Sequence, residues 1–297
     1  NLGVSPVSSL PYVVSLITGK VLYQYGQNDG YALRAWSAFD SSPLVDAETD
    51  TLIWPGESGV LYTIKLNTNY NKSAGTLTIN PDKPVLNRYM TSLNTDPGND
   101  LGMENSPIIV ENYLYVGDNR GTYFCVDLNT MELVWAQDTL DDSNSSPLFD
   151  WGEDGNGYIY TAPSLHWTAK NKKGSVSMYK LDAETGEIIW ERTHECVTEP
   201  NISGGIQSTP LLGKEGTTIE NMLIYVVART PQAYDGMMYA VNRDTGELIW
   251  EIPTVNYAWS SPVAVYGEDG KAHLSGMRTE ACQYYAFFCG VATPEEN

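Results

Sequence analysis

Residues 240–250 read Ala-Val-Asn-Arg-Asp-Thr-Gly-Glu-Leu-Ile-Trp, and residues 180–190 read Lys-Leu-Asp-Ala-Glu-Thr-Gly-Glu-Ile-Ile-Trp. In both stretches the Asn or Asp can accept backbone hydrogen bonds within its own turn, and the Gly supplies a positive φ that other residues resist. The apolar segment that follows ends in Trp, whose large face can pack on a neighbouring sheet. Sixty residues separate Trp190 from Trp250, and this spacing predicts a β-sheet unit repeated along the chain.

The chain contains further copies of this turn at residues 127–135 and 15–23, in weaker form. A second repeated element is Ser-Pro or Thr-Pro followed by apolar residues, which begins at Ser42, Ser106, Ser146, Thr209 and Ser261. Two more strand-like segments lie between these anchors, as at residues 113–116 and 122–126. Each unit therefore holds four strands. Because such a sheet is apolar on both faces, it must be sandwiched between copies of itself, which predicts an all-β propeller of four-stranded antiparallel blades.

Together the units predict that residues 1–297 form a single propeller domain with about five blades' worth of sequence. Their expected bounds are 11–25 (partial), 41–91, 105–137, 145–193, 208–252 and 260–297 (partial or degenerate). In the unit 41–91, an insertion from residue 69 to about residue 86 delays the closing strand to near Tyr89. After Lys271 neither a third strand nor a Thr-Gly turn is evident, and we expect residues 272–297 to come from a truncated or frame-altered end.

These motifs resemble the pyrroloquinoline-quinone-repeat (PQQ-like) β-propellers, whose blade signature is Ala-x-Asp-x-x-Thr-Gly-x-x-x-Trp. Residues 240–250 depart from it only at Asn242, and residues 180–190 only at Lys180; in residues 125–135, Cys125 and Met131 replace Ala and Gly. The resemblance covers about residues 11–270. It implies a fold and no particular function, because the motif builds blades and not a site.

The ends of the repeat allow two arrangements. The half-units at 11–25 and 260–280 could pair to close a ring of five blades. Alternatively, they are the open edges of an incomplete ring of the seven or eight blades that are usual in the resembled family. We favour the open arc, with the chain as a piece of a longer protein.

The composition excludes several classes of partner. Lys and Arg number 17 against 37 Asp and Glu, a net charge of −20 with a pI near 4.3. Binding to nucleic acid or to an anionic membrane needs clustered basic residues, so we expect neither. The longest apolar runs, 222–228 and 284–292, are shorter than the roughly 20 residues of a membrane-spanning helix. We expect an extracellular, cell-surface or periplasmic protein whose export signal lies upstream of Asn1.

The sequence contains none of the familiar catalytic signatures. Gly-x-Ser-x-Gly, His-Glu-x-x-His and Gly-x-x-x-x-Gly-Lys are all absent. Residues 150–157 superficially resemble a calcium loop but lack its third and last ligands, and residues 267–271 have a similar sequence, so we predict a recurring hairpin turn. The four cysteines, at positions 125, 196, 282 and 289, match no zinc or redox spacing. We expect buried free thiols, no catalytic residues and no metal site.

A binding surface can be placed from the topology of a propeller. The connections into the inner strands and the loops between second and third strands share one face, which we call the loop face. Its candidate ligand or partner residues are Arg34, Trp36, Glu104, Arg120, His166, Trp167, Gln207, Arg229, Tyr257 and Trp259. The longest loop, 164–174, also carries Lys170, Lys172 and Lys173. Aromatic rings beside polar groups suit a sugar, a quinone or a peptide edge. We expect structural roles as blade anchors for Trp135, Trp190, Trp250, Gly186 and Gly246.

Two functions compete. The first is a non-catalytic binding or assembly scaffold, similar to the lipoprotein subunit of the outer-membrane β-barrel assembly machinery, with a protein or small polar ligand as partner and no cofactor. The second is a quinoprotein alcohol or sugar dehydrogenase, for which the resemblance implies PQQ, calcium, a catalytic Asp and often an adjacent Cys-Cys pair. The sequence has no adjacent cysteines, which favours the scaffold. A glycan-binding propeller is a further alternative.

Overall fold

A computed structural model describes residues 12–16, 18–24, 38–91, 93, 102–166, 172–199, 202–254, 257–280 and 283–290. Within these ranges the regular structure is β-strand, and no helix has the length and hydropathy that a membrane span requires. The all-β prediction is confirmed.

Each blade is a separate antiparallel sheet. A hairpin of β1 (Tyr12–Val14) and β2 (Val21–Gln24) comes first. The strands of sheet A are β3 (Leu44–Asp46), β4 (Thr51–Gly56), β5 (Val60–Lys65) and, after a separate hairpin of β6 (Asn69–Asn71) and β7 (Thr76–Thr78), β8 (Val85–Asn87). The strands of sheet B are β9 (Ile108–Val110), β10 (Tyr113–Gly117), β11 (Thr122–Asp127) and β12 (Glu132–Asp138).

The remaining sheets follow the same order. The strands of sheet C are β13 (Leu148–Trp151), β14 (Gly157–Thr161), β16 (Lys173–Asp182), which follows the short β15 (Ser164–Leu165), and β17 (Ile188–Val197). The strands of sheet D are β19 (Leu211–Leu212), β20 (Met222–Ala228), β21 (Gly236–Asn242) and β22 (Leu248–Thr254), and the two-residue β18 (Gly204–Gly205) joins this sheet by pairing with β15 and with the end of β20. Sheet E has the three strands β23 (Val263–Tyr266), β24 (Ala272–Glu280) and β25 (Gln283–Gly290). The four-stranded blades of the prediction are confirmed in sheets A to C, and sheet D contains the same four strands with β15 and β18 added.

Alternate residues of each sheet face opposite neighbours, as the two-residue period of a strand requires. In sheet B, Leu114 and Val116 pack with Ile53 of sheet A. Tyr115 belongs to a different buried cluster, which includes Ile159 of sheet C. The core is therefore a series of inter-sheet layers, and sheet B is stabilised by burial on both sides.

The Trp and Gly of the repeated motif meet across neighbouring sheets. Trp135 Nε1 donates a hydrogen bond of 3.0 Å to the carbonyl of Ala183, in the turn of the next sheet. A Cβ at Gly186 in that turn would lie only 2.6 Å from Trp135 Cδ2, and the φ of Gly186 is +77°. Gly186 is thus required by its backbone conformation and by the ring that lies against it.

The same contact recurs one sheet later. Trp190 Nε1 donates to the carbonyl of Arg243 at 3.2 Å. A Cβ at Gly246, whose φ is +71°, would lie 2.8 Å from Trp190 Cδ2. Trp250 differs, because its buried indole N–H has no acceptor in the described part of the chain.

A ladder of hydrogen bonds explains the recurring Ser-Pro. The backbone N–H of Ser42 donates to Ser106 Oγ at 2.8 Å, and that of Ser106 donates to Ser146 Oγ at 3.1 Å. Thr209 N–H donates to Ser261 Oγ at 3.0 Å. In these three pairs, the hydroxyl at the start of an inner strand therefore satisfies a backbone donor of the preceding blade.

Two sequence expectations need correction. Tyr89 lies outside the closing strand β8, and its hydroxyl donates to the carbonyl of Met131 in the turn of sheet B at 3.2 Å. It makes the inter-sheet contact that Trp makes elsewhere. The expectation that a third strand is missing after Lys271 is wrong, because β24 and β25 pair from His273–Gly290 to Glu280–Gln283. Tyr and Phe favour strands, and four of the eight residues of β25 are Tyr or Phe.

Candidate functional site

The connections that define the loop face lie against one another. Ser143, before the inner strand of sheet C, donates its N–H to the carbonyl of Asp118, in the loop between β10 and β11, at 3.2 Å. Ser164 N–H donates to the carbonyl of Asp142 at 2.8 Å. Entry loops and mid-blade loops therefore share one face, as the topology of a propeller requires.

Three candidate residues of this face, Arg34, Trp36 and Trp167, lie outside the described residues. Arg120 is exposed on the loop of sheet B. The amide of its neighbour Asn119 donates to Glu104 Oε1 at 2.6 Å. Glu104 and Arg120 are therefore held in the same part of the face.

His166 and Gln207 meet around a residue that the sequence did not single out, Ser203. His166 Nδ1 lies 2.5 Å from Ser203 Oγ, and Gln207 Nε2 donates to the Ser203 carbonyl at 3.2 Å. The His166 backbone N–H donates to Asp141 Oδ2 at 3.1 Å. Ser203 precedes the glycine pair of β18, which pairs with β15, and only this strand pairing brings it to His166.

Arg229 cannot contact a partner directly, which corrects its place among the exposed candidates. The residue is fully buried, with 0% of its surface exposed. Its Nε donates to the carbonyl of Val197 at 3.0 Å, and Nη2 lies 3.3 Å from Glu199 Oε2. A buried guanidinium is tolerated only with such partners. Arg229 therefore supports the face from below.

Tyr257 and Trp259 form what we call the aromatic platform. The Arg229 guanidinium carbon lies 5.1 Å from the centroid of the Tyr257 ring, a cation–π contact. The Tyr257 and Trp259 rings are 5.7 Å apart. Trp259 is 39% exposed. A buried charge thus fixes one ring, which in turn supports an exposed indole.

The loop predicted at residues 164–174 is shorter than expected. Its first two residues form β15, and Lys173 begins the long strand β16. Lys172 N–H donates to Thr198 Oγ1 at 3.2 Å. Lys172 and Lys173 are therefore exposed at a strand end, and Lys170 lies outside the described residues.

The family of the chain follows from comparison with known proteins. The family model described as outer membrane protein assembly factor BamB, a PQQ-repeat model, matches residues 40–255. The chain belongs to this PQQ-like repeat propeller family. The resemblance read from the Thr-Gly turns and their Trp is confirmed.

Individual relatives of this PQQ-like propeller are distant. Quinoprotein alcohol dehydrogenase PedH of Pseudomonas putida KT2440 is 24% identical over 176 residues, which cover 59% of this chain and 26% of PedH. The chain thus spans about a quarter of that relative. A europium-containing methanol dehydrogenase structure has a TM-score of 0.56 at 12% identity, over 90% of this chain and 61% of that one. BamB of Moraxella catarrhalis gives 0.40 at 16% identity, over 91% and 80%. The methanol dehydrogenase likeness supports the propeller fold alone.

The hairpin interpretation of residues 150–157 is confirmed in this propeller. Gly152 N–H donates to the carbonyl of Asn156 at 2.8 Å, and Gly267 N–H donates to that of Lys271 at 2.9 Å in the equivalent turn of sheet E. Over the described ranges, no group of three His, Cys, Asp or Glu side chains could hold a metal ion.

The titratable groups buried between the blades are structural. Cys125 and Cys196 are buried free thiols, as predicted, and burial raises the pKa of each to about 12. His194 Nε2 lies 2.8 Å from the Tyr225 hydroxyl between sheets C and D. Burial, with the charge of Arg192, lowers the pKa of His194 to about 3. The imidazole is therefore neutral at physiological pH.

Proposed function

We propose that this protein is a non-catalytic binding or assembly scaffold whose partner protein docks on the loop face at the aromatic platform. The carrying observation is the support of Trp259 by Tyr257, and of Tyr257 by the buried Arg229 guanidinium at 5.1 Å. Trp and Tyr held rigidly at a surface lose little entropy on binding and are enriched among the residues that dominate interface energies.

The family supports the same proposal. Its model is described as an outer membrane protein assembly factor, so assembly of proteins at the outer membrane from the periplasmic side is the role we propose. The net charge of −20 favours a partner surface that carries basic residues, because complementary charge steers association.

Site-specific photo-crosslinking tests this role. A photo-reactive phenylalanine replaces Trp259 in one variant and, as control, Ile189 in another; Ile189 is 48% exposed on an outer strand. Expressed in the periplasm of a Gram-negative host, the variant at position 259 should yield a discrete adduct with an outer-membrane assembly component. Trp259→Ala should reduce co-purification of that component at least tenfold. Equal adducts at both positions would refute the platform as the docking site.

The second candidate is a quinoprotein, and the similarity to PedH favours it. Titration with PQQ in the presence and absence of calcium, followed by quenching of tryptophan fluorescence, separates the two functions. The scaffold predicts no saturable calcium-dependent quenching. Tight, calcium-dependent binding would overturn it.

A further inference from the structure

A concave surface, separate from the aromatic platform, lies between sheets B and C on the face opposite the loop face. This cleft has a volume of 470 Å³, within the roughly 300–1,000 Å³ of small-ligand pockets. Its aromatic wall consists of Tyr113, Tyr115, Phe149 and Trp151. Trp151 is 55% exposed, and its ring meets that of Phe149 edge-on at 4.9 Å. A large exposed indole at a cleft mouth is suited to contact with a ligand.

The rim of the cleft is acidic. Glu111, Asp182 and Glu184 line it, and no Lys or Arg does. None of these three carboxylates has a basic ion-pair partner within the ranges that the structure describes. Asp182 Oδ1 accepts the backbone N–H groups of Glu184 and Thr185 at 3.0 and 2.8 Å, which fixes the rim. Aromatic faces beside carboxylates favour a cation.

The next interface of the same molecule shows such a cation in place. Between sheets C and D, the ammonium of Lys180 lies 3.8 Å from the centroid of the Tyr158 ring. It also lies 3.2 Å from Asp244 Oδ1 in the turn of sheet D. The Lys180 side chain is only 4% exposed, so this chain's own lysine fills the site.

The strand registers show that the two sites are equivalent. Lys180 pairs with Trp190 as Cys125 pairs with Trp135. Tyr158 pairs with Asp182 as Tyr113 pairs with Asp127. Asp244 is the third residue of its turn, as Glu184 is of the preceding one. The cleft between sheets B and C thus has the ring and the carboxylate, but a short Cys125 where the lysine would originate.

We propose that the cleft between sheets B and C binds a basic side chain of a partner protein, in the place that Lys180 occupies between sheets C and D. The volume of the cleft admits the basic residue together with an apolar neighbour, which packs on Trp151. This site is independent of the aromatic platform, since the two lie on opposite faces.

A peptide titration tests the proposal. The probe is acetyl-Leu-Lys-Leu-amide, with acetyl-Leu-Gln-Leu-amide as the neutral control, and binding is followed by the NMR signal of the Trp151 indole N–H. The lysine peptide should bind at least fivefold more tightly than the glutamine peptide. Glu184→Gln and Trp151→Ala should each weaken binding at least fivefold, the latter followed by calorimetry. The control Glu187→Gln, on the same turn but outside the cleft, should leave binding unchanged.

Cys125→Lys provides a second test, because the lysine introduced at position 125 would place its own ammonium group in the cleft between sheets B and C. It should abolish binding of the lysine peptide while leaving a platform-dependent partner bound. Equal affinity for the two peptides, an unchanged affinity in Glu184→Gln, or tighter binding of free choline than of the lysine peptide would each overturn the proposal. Should Cys125→Lys fail to fold, the Glu184→Gln and Trp151→Ala titrations still decide it.

Discussion

The contact between Gly186 and Trp135 allows the inter-sheet packing to be tested by one methyl group. In Gly186→Ala the new Cβ would take a left-handed conformation at φ +77° and lie 2.6 Å from Trp135 Cδ2. The left-handed conformation costs an L-residue about 1–2 kcal/mol, and overpacking costs about 1–3 kcal/mol more. We expect a total loss of about 2–5 kcal/mol.

Gly216→Ala is the matched control. Gly216 has a φ of +73°, but nothing lies within 4 Å of the position its Cβ would occupy. Its substitution should cost only the conformational part, about 1–2 kcal/mol. The difference between the two variants, about 1–3 kcal/mol, isolates the contact with the indole.

Urea denaturation followed by far-UV circular dichroism measures both variants without relying on tryptophan emission. The midpoint of Gly186→Ala should fall clearly below that of Gly216→Ala. In a Trp135→Ala background the alanine at 186 should lose its extra penalty, because the ring is gone. Equal midpoints for the two single variants would refute the reasoning that the sheets are closely packed at this glycine.

Three further outcomes follow from the blade interfaces. The pKa of His194 is about 3 in the folded protein and about 6.5 in the unfolded chain, so the unfolded state takes up the proton first as the pH falls. The contribution of His194 to the free energy of unfolding should be fully present above pH 6.5 and should fall by about 1.4 kcal/mol per pH unit below it. His194→Gln should flatten this slope in urea denaturation at pH 7, 6 and 5. Trp190→Phe should cost about 0.5–1.5 kcal/mol more than Trp250→Phe, because among the described residues the Trp190 indole has an acceptor and the Trp250 indole has none. Equal thermal midpoints for the two variants would contradict this. Asp244→Ala leaves the buried Lys180 ammonium without its carboxylate and should destabilise the protein more than Lys180→Met does. The loss should be less than the roughly 3–5 kcal/mol of a fully buried ion pair, because the Asp244 side chain is 51% exposed. A lower thermal midpoint for Lys180→Met than for Asp244→Ala would contradict a stabilising ion pair.

The blades could be predicted from the sequence because their signals are local. The Asp-x-x-Thr-Gly turn encodes its own hydrogen bonds, as when Asp182 Oδ1 accepts the N–H of Thr185 at 2.8 Å. The reason that Ser-Pro dipeptides begin inner strands is visible only in the structure. The serine hydroxyl of one blade accepts a hydrogen bond from the serine backbone N–H of another, as Ser106 Oγ does from Ser42.

The candidate site was less accessible to sequence reasoning because its contacts are long-range. Topology placed Arg229 on the loop face, but its burial depends on Glu199 and Val197, which arrive from the preceding blade. Ser203 reaches His166 only through the pairing of two two-residue strands. The cleft between sheets B and C depends on Cys125 being short where Lys180 is long, a comparison that needs the strand register.

The hydrogen bonds that the Ser-Pro dipeptides and the anchor rings make between blades run in one direction. Ser42 donates to Ser106, Trp135 to Ala183 and Tyr160 to Arg243, so in each of these contacts the donor comes from the blade earlier in the chain. Such an interface is heterologous, like the contact between successive subunits of a helical filament, and two copies of one blade face cannot satisfy it about a two-fold axis. An association of two copies that continues this series of contacts must therefore be head-to-tail.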